Sequence, residues 1–200
     1  MSTRAVQFLQ QEIARLKKEN VAYKDQITTL ERCIAALTEL YWAIQRIPEE
    51  KDLLGLISRR LLEMIQAIGA QDGSLLYLDQ ETDELVFTVV HGALAGHLAG
   101  RRIKSDTGVA GWVFQNVEPA IVNNPKQDWR FSQEVDREFA FLTRSILCVP
   151  MMRLAKPIGV IELLNKERRD FTELDAILAL VLGQFATAAL DELEARRPAG

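Results

Sequence analysis

Cysteine is scarce in this chain, with only Cys33 and Cys148 in 200 residues. The two lie far apart in different kinds of segment, so no disulfide framework or CxxC metal motif is written, and both read as reduced packing residues. Histidine is as rare, His91 and His97 alone, with no cluster of cysteines or carboxylates around them, so no metal site is expected. An excess of positive charge is also missing. The formal net charge is −4, which leaves no basic face for nucleic acid. The longest apolar run, Ala176 to Leu190, is interrupted by Gln184 and Thr187 and falls short of the ~20 residues of a membrane span. Met1-Ser-Thr-Arg-Ala lacks the positive-then-apolar pattern of a secretory signal, so a cytoplasmic protein without a membrane partner is expected. No Ser/His/Asp or paired-carboxylate arrangement stands out, and no enzyme is expected.

What the chain does have, from Val6 to Ile44, is a sustained heptad pattern. The a positions are Val6, Ile13, Asn20, Ile27, Ile34 and Tyr41, and the d positions are Leu9, Leu16, Tyr23, Leu30, Leu37 and Ile44. An apolar stripe spaced three then four stays on one face of an under-wound helix and implies a coiled coil. β-Branched residues at a with Leu at d favour two parallel strands, and the lone polar a residue, Asn20, can fix register against its own copy. Glu12 with Lys17 and Glu19 with Lys24 stand at g and the following e, where a parallel dimer brings opposite charges together. Cys33 takes a g position, off the seam. A homodimer is therefore expected, with Ile13, Leu16, Asn20, Ile27, Leu30, Ile34 and Leu37 along the seam.

The pattern stops near Ile47-Pro48, and residues 48–200 supply the roughly 150 residues of one ordinary domain after a 1–47 dimerisation helix. Helical spacing predicts a helix from Lys51 to Ile68, opened near Pro48 and closed by Gly69. Ser74–Leu78 and Glu84–Val90 read as a hairpin. Ala93–Gly100 is a small-residue connection, and Ser105-Asp-Thr-Gly108 looks like the cap of a short helix over Val109–Gln115. A brief strand at Pro119–Val122 and a helix over Phe131–Phe141 follow. Ser145–Met152 and Ile158–Leu164 then read as central strands covered on both faces. Thr172 caps a last helix whose middle is apolar almost all round. Hairpin-linked strands with helices on the faces make an α+β domain built on an antiparallel sheet.

Four stretches carry a family resemblance: Asp106-Thr-Gly-Val-Ala-Gly-Trp112, Thr143-Arg-Ser-Ile-Leu-Cys-Val-Pro150, Ile158-Gly-Val-Ile-Glu-Leu-Leu-Asn-Lys166 and Phe171-Thr-Glu-Leu-Asp175. In this order and spacing they resemble the GAF domain, a small-molecule sensor fold, over about residues 51–195. The resemblance implies a pocket on the sheet face roofed by the short helix and the Phe131–Phe141 helix. By position, Ser74 and Glu162 point at a ligand ring, Val109 and Ala110 offer helix N-terminal N–H groups to an anion, and Asp136 and Thr143 come from the roof. The motif of cyclic-nucleotide-binding members reads Asn165, Lys166, Phe171, Asp175 here, with Ala176 in place of a Glu. His91 stands where an acid is common and bulky Phe139 where a small hydroxyl is expected, so a cyclic nucleotide is disfavoured and Phe139 is expected to narrow the cavity. Lys166 and Asp175 are positioned to staple the last strand to the last helix. The roof has no cysteine for a covalent bilin, and Cys148 lacks the partner that a sulfoxide reductase needs. The ligand expected is small, planar or anionic, and its identity is open. Two functions stand side by side: a dimeric sensor that passes its signal to a separate protein, or a ligand-free dimeric scaffold.

Overall fold

A computed structural model describes residues 3–196; within it the side chains of a few helix-α1 and linker residues, Cys33 among them, lie outside the described set. Helix α1 (Thr3–Arg46) is 44 residues long, about 66 Å at ~1.5 Å per residue. A 3-10 turn at Ile47–Glu49 ends it, and α2 (Leu53–Ile68) turns back along its foot. The cap of α2 is Asp52, whose Oδ1 accepts the Gly55 N–H at 2.9 Å, so the helix starts later than the Pro48 signal suggested.

Then come strands β1 (Asp72–Asp79) and β2 (Glu84–His91), the one-turn helix α3 (Ala95–Leu98) and β3 (Arg102–Lys104). Helix α4 (Gly108–Asn116), β4 (Ala120–Val122) and helix α5 (Glu134–Phe139) form the middle. Strands β5 (Ile146–Arg153) and β6 (Lys156–Leu164) lead to α6 (Glu173–Ala195). The six strands make one antiparallel sheet in the order β3-β2-β1-β6-β5-β4.

Strand alternation splits the core in two. Ile161 and Leu163 of β6 face one way, into a cluster with Leu61 and Ile65 of α2 and Leu182 and Phe185 of α6. Val160 and Leu164 face the other way, with Val109, Val113 and Phe114 of α4 in a second, smaller cluster. Leu40, Ala43 and Ile47 anchor the foot of α1 in the first cluster. The seam residues point elsewhere: Ile13, Leu16, Ile27, Leu30 and Ile34 are 44–63% exposed on the single chain. Glu12 and Glu19, expected to reach across a seam, here pair within the helix with Arg15.

Helix α6 is one helix long and apolar enough to cross a membrane by length and composition, but most of it is buried in the domain. Thr172 opens it with a capping box: its N–H donates to Asp175 Oδ2 at 2.8 Å and its hydroxyl accepts the Asp175 N–H. Helix α5 is shorter than its apolar spacing predicts. A turn closing Phe131 N–H on the Asp128 carbonyl precedes it, and Ala140 at φ 49 ends it.

Candidate functional site

A cavity of about 110 Å³ lies between the sheet and the roof made by α4 and α5. Ser74 on β1 and Glu162 on β6 are paired in register, so both side chains stand on the cavity face of the sheet. Around them the wall is apolar: Phe87, Val90, Leu94, Leu98, Ile103 and Ile146. Among the described residues neither the Ser74 hydroxyl nor the Glu162 carboxylate has a hydrogen-bond partner, although Ser74 is only 4% exposed. Glu162 lies deep in the fold and keeps part of its surface toward the cavity. Burial pushes its carboxyl up to about 7, because an apolar wall disfavours the charged form.

Of the residues expected at a ligand, Ser74, His91, Val109, Ala110, Asp136, Thr143 and Glu162 all line this cavity. Phe139 does not. Its half-buried ring packs on the roof-side cluster instead, 5.2 Å from the His97 ring and 5.5 Å from the Arg101 guanidinium carbon, so it covers Arg101 and does not narrow the cavity. Val109 and Ala110 sit in the first turn of α4, and Thr107 gives that turn no side-chain cap, so its N–H groups keep their positive end of the helix dipole unanswered by a side chain. Asp136 is engaged, accepting the Thr143 N–H at 3.0 Å and the Thr143 hydroxyl at 2.6 Å.

His91 closes the floor and reaches the other layer. Its Nε2 lies 2.8 Å from the Ser58 carbonyl of α2 and 3.0 Å from the Ser58 hydroxyl. The carbonyl accepts when Nε2 carries the proton, and the hydroxyl donates when it does not. Beside it Asp72 accepts the Ala93 N–H at 2.7 Å, under Gly92 at φ 104, where a Cβ would stand 2.2 Å from the carboxylate. Asn165, at φ 59, accepts the Arg144 N–H and donates to the Leu142 carbonyl, tying the roof to the end of β6. Lys166 Nζ meets Asp175 Oδ2 at 2.5 Å, away from the cavity, with Asp175 buried and Phe171 flanking the lysine.

Sequence reasoning missed Arg101, which lines the cavity and pairs with Glu138 of α5 through both terminal nitrogens, at 2.7 and 2.6 Å. The only signal was a pair of adjacent arginines after a loop of small residues. Cys148, on the neighbouring strand opposite Glu162, is fully buried, and desolvation holds its thiol protonated, well above the usual range.

The family model described as "GAF domain" matches residues 49–191, well over half of the chain. The chain belongs to the GAF domain family. The GAF domain of a phosphoenolpyruvate-protein phosphotransferase from Coxiella burnetii superimposes with a TM-score of 0.72 at 16% identity, covering 85% of this chain and 96% of that one. A free methionine-R-sulfoxide reductase from Neisseria meningitidis, in complex with its substrate, gives 0.60 at 24% identity over 78% and 86%. At these identities the likeness is one of GAF fold alone. In sequence, a probable 3',5'-cyclic phosphodiesterase of Caenorhabditis elegans, pde-5, is 34% identical over 74 residues, 37% of this chain and 10% of that protein. The dual 3',5'-cyclic-AMP and -GMP phosphodiesterase 11 of Drosophila melanogaster is 34% identical over 76 residues, 37% of this chain and 5% of that protein. The chain thus spans a tenth or less of these curated relatives.

Proposed function

We propose that this GAF domain is a dimeric signalling sensor that binds a small molecule between its sheet and its roof. The observation that carries the reading is Ser74 beside Glu162, two side chains without a hydrogen-bond partner among the described residues, flanked by the apolar side chains of Phe87, Val90, Leu98 and Ile146 on the cavity wall. Groups left unpaired in such a place cost stability unless a ligand or water satisfies them. Size limits the occupant. An apolar cavity of ~150 Å³ holds one benzene, so 110 Å³ favours a small ligand and disfavours a cyclic nucleotide.

A route out of the site supports signalling. His91 ties the cavity floor to α2, and α2 shares its core with the foot of α1. The exposed seam of α1 supports a parallel homodimer, since covering each such side chain contributes roughly 1.5–3 kcal/mol. The reading gives the domain no catalytic role, and its output passes to a separate protein. The small cavity also favours a second reading, a ligand-free dimeric scaffold. Native mass spectrometry of freshly purified chain separates the two: a mass of two chains plus a co-purified small molecule supports the sensor. Two bare chains support the scaffold, and a monomer at micromolar concentration ends both.

A further inference from the structure

We infer that Arg101 is the residue that reads a carboxylate in this cavity, and that Glu138 occupies it when no ligand is bound. The inference rests on the sensor reading and names the class of ligand: a short monocarboxylate with a compact apolar body.

The charged groups of the cavity lining are Asp72, Glu134, Asp136 and Glu162, facing Arg101, with His91 on the floor. Asp72 and Asp136 are committed to the backbone N–H groups of Ala93 and Thr143. Arg101 therefore carries the lining's full positive charge, and what it holds is a carboxylate. Both terminal nitrogens meet Glu138 in the parallel fork geometry that suits any carboxylate. Glu134 stands 3.8 Å away as a second acid, and Phe139 packs against the guanidinium. Glu138 itself is not on the lining; it belongs to the outer surface of α5, with its side chain 45% exposed. The guanidinium thus stands between the cavity and solvent.

That position makes the exchange chemically even. A ligand carboxylate gives Arg101 the same two hydrogen bonds, and a half-exposed pair is weakly held against such a competitor. The body of the ligand then meets Phe87, Val90, Leu98 and Ile103. The exchange also frees α5, none of whose residues is fully buried and whose start has no side-chain cap. Among the described residues its remaining polar ties to the domain are the Asp136–Thr143 pair and the longer Glu134–Arg101 contact at 3.8 Å. A second acidic group on the ligand is disfavoured by Glu134 and by Glu162 when ionised.

The test uses the full chain with 3-methylbutanoate as probe and 3-methylbutanamide as its neutral match. Calorimetry is run on the unmodified protein, Glu138→Gln, Arg101→Gln and Arg101→Lys, each checked for an unchanged far-UV spectrum. Glu138→Gln is expected to bind the carboxylate about fivefold more tightly than the unmodified protein, the most that losing a half-exposed competitor allows. Arg101→Gln is expected to lose it, and Arg101→Lys, which keeps the charge but not the fork, to fall between. The amide is expected to bind all four alike, within about threefold. Hydrogen exchange at Arg137 and Phe141, whose N–H groups close α5 on itself, is expected to quicken in Glu138→Gln and in the unmodified protein on adding the carboxylate. Equal affinity for carboxylate and amide, retained carboxylate affinity in Arg101→Gln, or no tightening in Glu138→Gln would each overturn the assignment. So would carboxylate binding by none of the proteins, and in that case a co-purified molecule in native mass spectra still upholds the sensor reading itself.

Discussion

The two faces of the sheet are built on opposite terms. On the α2/α6 face the strands meet Leu61, Met64, Phe185 and Ala186, all at most 1% exposed, and polar contacts such as Arg153 with Asp191 and Glu194 and His91 with Ser58 flank that packing. On the α4/α5 face the same strands carry Ser74 and Glu162 around an opening. Close packing on one side holds the fold tightly enough for the other side to keep an opening lined with polar groups. A domain that had to do both on one face would lose one or the other.

Four changes break or sharpen this contrast, from the largest effect to the smallest. Phe185→Ala on the packed face is expected to cost about 3–5 kcal/mol, as large core truncations do. Urea unfolding reads this, and probe affinity at the far face should stay unchanged. Lys166→Met comes next. It leaves Asp175 buried but still accepting the Thr172 N–H, so a loss of about 3 kcal/mol is expected, at the low end for a broken buried pair. Lost ligand binding with unchanged stability would instead put Lys166 at the ligand.

Third is the pH dependence set by Glu162. Its folded carboxyl titrates at about 7 against 4.5 unfolded, so the folded protein binds the proton more tightly. The cost is absent below pH 4.5 and grows as pH rises to about 7, reaching at most about 3 kcal/mol and less where water enters the cavity. Glu162→Gln should flatten stability between pH 5 and 7.5, roughly, and a profile as steep as that of the unmodified protein removes Glu162 as its source. The smallest effect is expected of Phe139→Thr. With the half-buried ring packed beside the cavity and not lining it, the change should leave cavity volume as it is and cost about 1–2 kcal/mol, the ordinary range for losing partly buried contacts. A crystal structure of the variant with an enlarged cavity would return Phe139 to the lining.

Much of this was legible in the chain. Glu162 was carried over by its position in the family resemblance, and the pairing of Ser74 with Glu162 puts both on the cavity face. The long helix α1 was legible because apolar residues recur on one of its faces over six heptads. Helix α5 was misread at its ends because Phe131, Val135 and Phe139 keep i, i+4 spacing on one cluster, while the backbone turns at Asp128–Phe131 and at Ala140 that bound the helix leave no apolar signal. Arg101 was invisible because its role comes from chain closure: the loop after β2 and the roof segment lie 37 residues apart and meet only in the fold. Asn165 was named as a motif residue, but its part in tying the roof to β6 was not legible, since its left-handed backbone at a strand end leaves no pattern in the sequence.

The foot of α1 carries one more consequence. The stripe seated on the domain (Ala36, Leu40, Ala43, Ile47) and the expected seam (Ile34, Leu37, Tyr41, Ile44) share the last turns of α1 and the 3-10 turn that ends it. At ~100° per residue their centres lie roughly 110° apart around the axis. Two chains joined along that seam by a two-fold axis would carry their domains on opposite flanks of the rod, each with its opening turned away from the other. Leu37 belongs to both stripes, partly buried on the domain and in line with the seam. Turning the shaft to improve one contact therefore loosens the other, like a key gripped at the bow and at the bit.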